Sequence, residues 1–219
     1  MSKRYWFFLL PLVLSLTACG QIGHDQAYAH AAEAPEAWAG DWHGVWSIEF
    51  DSAPVDGPLV AEIWHAADGR LRIETLDAPT TALKGLTLVD TGGGGVWFYD
   101  LRQNRAELGP ADLERIPIAS DSLLVMDWML DQVSTAAIKS AHWDSLESGR
   151  AARLSLVTEA GDEAEFWVHN KTGLPAGLEL QSRRWGKVVL TSRSLEAPRS
   201  LTPGLFDFEP PADASILIR

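Results

Sequence analysis

Apolar and polar residues alternate with a period of two along most of the chain after residue 41. In the first such stretch one side carries Trp42, Gly44, Trp46, Ile48 and Phe50. Because successive side chains of a β-strand point to opposite faces, this alternation predicts strands with one buried face. The same pattern predicts further strands at residues 59–65, 70–76, 85–91, 96–101, 104–108, 150–159, 163–169, 176–182 and 187–193.

Turn-forming residues join these stretches as hairpins. Asp68 and Gly69 separate two alternating stretches, and an Asp-Gly pair favours a tight two-residue turn because both residues tolerate a positive φ. Residues 92–95 are four glycines, residues 170–175 contain Asn, Gly and Pro, and Trp185-Gly186 marks another tip. Consecutive strands joined by short hairpins are antiparallel, so the sequence predicts one large antiparallel sheet.

The middle of the chain has a helical period instead. Asp121 is a suitable N-cap, and apolar residues then recur at spacings of three and four, at Leu123, Met126, Leu130, Val133 and Ala137. The stripe is widened by Leu124, Val125, Trp128 and Met129. Two interpretations stay open: burial in an ordinary core, or an adaptable apolar surface of the kind that methionines provide.

The order of elements is therefore a sheet half, a helical insertion and a second sheet half. This order predicts an α+β fold with one large, strongly curved antiparallel sheet and helices covering its concave face.

The N-terminus has the pattern of an export signal. Lys3 and Arg4 precede an apolar run from Tyr5 to Leu16, and Leu16-Thr17-Ala18-Cys19 follows at once. This ending resembles the bacterial lipobox, in which the cysteine is acylated and becomes the first residue. We therefore expect a signal peptide at residues 1–18, a lipid-anchored flexible tether at 19–40 and one domain at 41–219, exported and attached to the cell envelope.

Composition narrows the possible partners. The 219 residues carry a formal net charge of −12, and two of the basic residues lie in the signal peptide. Such a surface repels nucleic acid, so no nucleic-acid partner is expected. Cys19 is the only cysteine, which excludes a disulfide within one chain. Ten tryptophans are many for this length and require an explanation.

Catalytic signatures are missing from the sequence. The six histidines are scattered, there is no Gly-x-Ser-x-Gly nucleophile motif, and Cys19 is committed to acylation. Asp127 and Asp131 stand one helical turn apart, but on the polar side of the predicted helix. We expect a protein that is not an enzyme, with no catalytic residue, metal site or cofactor.

Three segments together resemble the LolA-like superfamily of bacterial lipoprotein carriers and lipid-binding relatives. They are GVWFYDLRQNRAEL at residues 95–108, FWVHNKTGLPAGLEL at 166–180 and LFDFEPPADA at 205–214, the last similar to a closing Phe-x-Phe-x-Pro-Pro strand. With RLRIET at 70–75 the resemblance covers residues 42–215. Their order and spacing carry the resemblance, since the motifs are patterns of strand and turn.

The resemblance implies an unclosed barrel of about ten or eleven antiparallel strands round a helical lid. It also implies an apolar cavity that holds acyl chains. The residues expected to line it are Trp46, Ile48, Trp64, Ile73, Trp97, Tyr99, Leu123, Met126, Trp128, Met129, Leu130 and Trp167. Some relatives control lid opening with a strand arginine, for which Arg70 and Arg72 are the candidates here.

The expected function is that of a lipid-anchored envelope lipoprotein that binds acyl chains of lipids or lipoproteins, for transfer or localisation. Its partners would be a lipid or acylated lipoprotein and the membrane through Cys19, with an envelope protein as a further candidate partner. The founding carrier is soluble, whereas this chain has a lipobox, so shuttling between two membranes is not expected. Two alternatives stay open: a sensor that partners a membrane anti-sigma factor, and a structural cell-surface lipoprotein.

Overall fold

A computed structural model describes residues 25–34, 37–51, 57–93, 95–110, 125–126, 129–130, 136–158, 161–183 and 186–219. The predicted signal peptide, Cys19, Leu123 and Trp128 lie outside these residues. Residues 25–34 are helical and form helix α1; residues 37–38 are also helical. Residues 125–126 and 129–130 are helical as well and are called the central helical segment.

Twelve strands form a single sheet. In chain order they are β1 (Trp42–Phe50), β2 (Leu59–His65), β3 (Leu71–Asp77), β4 (Leu86–Asp90), β5 (Val96–Asp100), β6 (Arg105–Gly109), β7 (Ala137–Leu146), β8 (Gly149–Val157), β9 (Glu163–His169), β10 (Pro175–Ser182), β11 (Gly186–Glu196) and β12 (Ser215–Ile218). A short 3₁₀ helix, Thr81–Leu83, precedes β4.

The sheet does not close into a barrel. Its strand order is β12-β6-β5-β4-β3-β2-β1-β11-β10-β9-β8-β7, so β12 and β7 are the two edges. Every pairing is antiparallel except that of β12 with β6, which is parallel. The first and last long strands of the domain, β1 and β11, pair at the centre and bring the two sheet halves together. The predicted unclosed, curved half-barrel is confirmed.

Two strands differ from prediction. Ala137 was placed at the end of a helix, but it begins β7, an edge strand in which only Ala141 is buried. Ile138, Ala141 and Trp143 of β7 pack in or against the main core, but a register shift between Ile138 and Ser140 interrupts the alternation that a sequence pattern would detect. The closing strand predicted at residues 205–214 is also wrong, because Pro210 and Pro211 have no N–H to donate to a ladder. The strand follows later, at β12.

Helix α1 corrects the predicted extent of the tether. Its buried residues, Ala27, Ala31 and Ala34, are spaced by four and three and pack into the main core. After the helix, Trp38 Nε1 donates to the Gly173 carbonyl at 2.7 Å. The Trp38 ring also meets Phe166 edge-on, with centroids 4.9 Å apart. Residues 25–34 are thus part of the domain, and within the described residues no helix has the length and apolarity to cross a membrane.

The two faces of the sheet have different covers. The helix-covered face carries the main core, where α1 and the central helical segment pack on inward residues of β1–β5 and β7–β11. The opposite face, called here the open face, carries a small second cluster. There Phe206 is buried against Ala66 and Val89, with Trp64 and Trp97 beside it. The C-terminal segment, residues 201–208, therefore covers the open face of β2–β5.

Docking of α1 yields a prediction with a matched control. Ala31→Glu should lower the free energy of unfolding by about 2–4 kcal/mol, because it places a carboxylate in an apolar contact. Ala32→Glu, on the exposed side of the same helix turn, should change it by about 0.5 kcal/mol or less. Urea unfolding followed by tryptophan emission measures both. Equal effects of the two substitutions would show that α1 does not pack on the sheet.

Candidate functional site

The candidate site is the part of the helix-covered face centred on β1. Strand alternation places Trp42, Gly44 and Trp46 side by side on this face, and both indoles are fully buried. Their ring centroids lie 6.2 Å apart at an interplanar angle of 53°. A Cβ at Gly44 would lie 2.5 Å from the Ser194 carbonyl oxygen and 3.1 Å from Trp46 Nε1. Glycine is therefore needed for the Trp46 indole to lie over the strand.

The neighbouring strands continue the site as cross-strand rows. Ala61 on β2 is opposite Trp46, and Thr75 on β3 is opposite Ala61. Ile63 is opposite Gly44. All of these side chains belong to the inward set of their strands, so Trp46 and Thr75 flank the small side chain of Ala61 on one surface.

Three polar atoms in this group are buried and have no hydrogen-bond partner among the residues that the structure describes. They are Nε1 of Trp42, Nε1 of Trp46 and Oγ1 of Thr75. An unsatisfied buried polar group lowers the free energy of unfolding by about 1–3 kcal/mol, so three such groups in one neighbourhood lower it considerably. Trp38 shows that the same fold can satisfy an indole, since its N–H has the Gly173 carbonyl. A further orphan, Trp143 Nε1, lies on the edge strand β7.

His65 bounds the site beside Trp42. Its ring is buried and stacks on the Trp42 indole, with centroids 5.3 Å apart and an interplanar angle of 16°. Its Nδ1–H donates to the Gly40 carbonyl at 3.0 Å. Burial lowers the pKa of His65, and the Gly40 hydrogen bond and the charges of Asp41 and Asp68 offset only part of that effect. The neutral ring therefore belongs to the folded state at neutral pH.

The central helical segment covers the same core. Val125, Met126 and Met129 are fully buried there, and Leu130 is partly buried against it. Methionine side chains are unbranched and polarizable, so they adapt to irregular apolar surfaces. The cover can therefore repack around an aliphatic chain more readily than a cover of branched residues.

Of the predicted lining residues, the structure places one group on this face. That group is Trp46, Ile48, Ile73, Met126, Met129 and Leu130, all in or against the main core. Trp42 and Thr75 share the face but were not predicted for the site. Trp42 could have been predicted from the sequence, because its even spacing from Trp46 places both residues on the same face of the strand. No sequence signal distinguishes Thr75 from an ordinary strand threonine.

The face predicted for four residues is corrected. Trp64, Trp97, Tyr99 and Trp167 lie on the open face, because the residues next to them take the inward positions. Those inward residues are Ile63, Val96, Phe98 and Phe166. A shift of one residue along a strand exchanges its two faces, and an aromatic residue suits either face when a second layer covers the outside.

The open-face aromatics have identifiable contacts there. Trp64 stacks on His43 at 5.1 Å and 18° between rings. Phe208 lies 5.7 Å from the Trp97 ring and 5.6 Å from that of Tyr99. Trp167 Nε1 donates to Asp144 at 3.0 Å. These rings anchor the C-terminal segment and the polar network of the second sheet half.

Arg70 and Arg72 also lie with the C-terminal segment. Arg72 donates to the Leu205 carbonyl at 2.7 Å and pairs with Glu74. Arg70 pairs with Asp68 at 2.9 Å and lies over the Phe206 ring at 4.8 Å. These contacts are on the face opposite the central helical segment, so they give no geometry for the lid-gating role expected of either arginine.

Two grooves away from this site have charged residues in their lining. A groove of about 370 Å³ lies between the β2–β3 turn and residues 200–207, and its lining includes Asp41, Asp68, Arg70 and Asp207. Another, of about 290 Å³, lies over β8–β11 and is lined by charged residues of both signs. In the part of the chain that the structure describes, no group of three or more His, Cys, Asp or Glu could hold a metal ion.

Comparisons with known proteins show the fold. An uncharacterized conserved protein from Thermus thermophilus has 14% identity and a TM-score of 0.56, over 89% of this chain and 98% of that one. MucB has 14% identity and a TM-score of 0.52, over 89% of this chain and 65% of its own, so about a third of MucB has no counterpart here. No family model matches the chain, and no curated protein matches it.

A LolA superfamily protein from Nitrosomonas europaea also matches, over 82% of this chain and 96% of its own, at 9% identity and a TM-score of 0.39. A score this low carries no argument by itself. The two stronger superpositions show that the chain shares its fold with these solved proteins, and its twelve-stranded unclosed sheet matches the half-barrel that the sequence resemblance implied. At these identities the likeness concerns the fold alone.

The lowered pKa of His65 predicts acid-sensitive stability. Unfolded histidine has a pKa of about 6.5, so below that pH the unfolded chain binds a proton that the folded site excludes. Stability should be full above about pH 6.5 and fall as the pH drops towards the lower folded value. His65→Gln should make the unfolding free energy less pH-dependent between about pH 8 and pH 5.5, measured by urea titration. An unchanged acid slope would contradict this assignment. His169, whose pKa burial also lowers, should account for part of the slope that remains.

Proposed function

We propose that the protein is an exported, lipid-anchored envelope protein that binds acyl chains of lipids or lipoproteins between its sheet and its helical segments. The observation that carries the proposal is the group of unpartnered polar atoms on Trp42, Trp46 and Thr75 within an otherwise apolar interior. A core built only for packing has no use for three unsatisfied groups, whereas a ligand with both apolar and polar parts gives them partners.

The cover of the site supports a mobile ligand. Met126 and Met129 of the central helical segment are buried in the core that this segment shares with the sheet. Methionine side chains can change conformation around a ligand at small energetic cost. Burying acyl methylenes contributes about 0.8 kcal/mol each, so a single chain supplies enough free energy to displace such a cover. The protein would act by binding and release, without a chemical step.

The lipobox at Cys19 would keep the domain close to a membrane. Only residues 20–24 separate Cys19 from helix α1, which begins at Asp25 and packs on the sheet. An extended chain spans at most about 3.6 Å per residue, so the anchor lies within about 22 Å of the domain. A domain held at that distance can exchange lipid with the membrane that anchors it, but it cannot cross to another.

Acylation of Cys19 is directly testable. Mass spectrometry of the full chain from a bacterial host should show an N-terminal cysteine at position 19 carrying acyl groups, and Cys19→Ser should remove them. Fractionation should show the acylated protein with membranes. Cleavage elsewhere, or an unmodified cysteine, would remove the anchor from the proposed function and leave acyl binding to be judged separately.

Acyl binding is tested on the Cys19→Ser full chain, whose lack of covalent acyl groups leaves only bound ligand to detect. Native mass spectrometry and lipid extraction should find a phospholipid or acylated peptide at near-equal stoichiometry. Met129→Glu should reduce its occupancy about tenfold or more, since it puts a carboxylate against the acyl chain. Leu76→Glu is the matched control, because Leu76 is 50% exposed on β3.

Circular dichroism must show that both variants fold, and Met129→Gln provides a milder change at the same position if the glutamate does not. A wild-type protein that is empty and takes up no fluorescent acyl probe would overturn the proposal.

The alternative function would then be that of a sensor that binds an envelope protein. That alternative is favoured by the superposition on MucB, a protein also crystallised in complex with MucA(peri). The shared fold shows that such a half-barrel can serve a protein partner.

A further inference from the structure

The three unpartnered atoms indicate which part of an acylated ligand enters the site. We propose that Trp42, Trp46 and Thr75 recognise the ester or amide carbonyl at the head of an acyl chain, so that the protein selects acyl-linked lipids over ether-linked or plain alkyl chains. This inference rests on the proposed function and specifies its ligand chemistry.

The hydrogen-bonding capacity of the three atoms favours a carbonyl over a plain hydrocarbon as their partner. An indole N–H can only donate a hydrogen bond, and a threonine hydroxyl can donate or accept. Trp42 and Trp46 therefore need acceptors, and the Thr75 hydroxyl can donate or accept. A hydrocarbon chain leaves all three atoms unpaired. An ester or amide carbonyl has two acceptor lone pairs and no charge, so it satisfies donors in an apolar interior without adding an ion.

The surroundings disfavour a charged head at this position. The cross-strand rows beside Trp46 contain Gly44, Ala61 and Ile63, which carry no charge. His65, opposite Trp42, is neutral at neutral pH because burial lowers its pKa. A free carboxylate would meet donors but no cation among these residues, and an uncompensated charge in an apolar interior is costly.

The indole of Trp38 provides a comparison within the same core. Trp38 is almost as deeply buried as Trp46 and lies in the same core, yet its N–H donates to the Gly173 carbonyl at 2.7 Å. The fold thus satisfies an indole that serves packing. Trp42 and Trp46, by contrast, keep their donors free on the face that the adaptable methionines cover.

A competition experiment isolates this contact. The Cys19→Ser full chain in a non-ionic detergent is mixed with equal amounts of two lipids, dipalmitoyl phosphatidylglycerol and its ether-linked dihexadecyl counterpart. The ether lipid differs from the ester lipid only in lacking the two carbonyl oxygens. Native mass spectrometry gives the ratio of bound ester to bound ether. Each hydrogen bond contributes about two- to tenfold in affinity, so the wild type should prefer the ester by about tenfold.

Trp46→Phe and Thr75→Val should each lower that preference by about two- to tenfold, while Trp38→Phe should leave it unchanged. The ratio counts only folded, loaded protein, so loss of stability alone does not move it. Should a variant fail to fold, the wild type bound to ester labelled with ¹³C at the carbonyl provides a second measurement. Its carbonyl stretching band should lie at lower frequency than that of the same labelled ester in a dry hydrocarbon solvent, as hydrogen bonding requires.

The outcomes separate the two proposals. Binding of both probes without preference, or a preference that Trp46→Phe and Thr75→Val leave intact, would overturn carbonyl recognition while acyl binding stands. An unshifted carbonyl band would overturn it too. Failure of the wild type to bind either probe would overturn the proposed function, and with it this inference.

Discussion

The structure depends on one constraint: an unclosed sheet cannot bury its own apolar face. With β7 and β12 as edges, the inward residues of the sheet meet no opposite wall, so another layer must exclude water from them. Helix α1 supplies part of that layer at close range, because its buried residues are alanines and the backbone can approach the strands. The central helical segment supplies the rest with Val125, Met126 and Met129.

These two covers differ in how firmly they are held. Helix α1 is followed by Trp38, whose hydrogen bond to Gly173 and edge contact with Phe166 fix it to the β9–β10 hairpin and to β9. The central segment contacts the core through flexible side chains. The proposed acyl chain would therefore enter on the side of the central helical segment. The unpartnered polar atoms on β1 and β3 give such a ligand something to bind.

The sequence was sufficient where one physical pattern acted alone. Strands such as β2 and β9, with one apolar face and clear turns, were predicted at the observed residues. It was insufficient where a second layer altered the pattern. Phe206 and Phe208 make the open face apolar too, so Trp64 and Trp97 could not be assigned a side from alternation. Hydrogen-bond satisfaction, which distinguishes Trp42 and Trp46 from Trp38, depends on distant residues and leaves no trace in local sequence.

The unusual number of tryptophans is explained by that distinction. On the open face, indoles bind the C-terminal segment and charged neighbours, as Trp167 does with Asp144 and Arg153. In the core, Trp38 joins a helix end to a hairpin. Among the residues that the structure describes, the indoles of β1 alone combine full burial, close mutual contact and free donors. Natural interiors rarely keep such donors unpaired, because each one costs stability that an apolar side chain would not. Their retention on a central strand, on the face that the central helical segment covers, therefore supports the proposal that they bind a ligand.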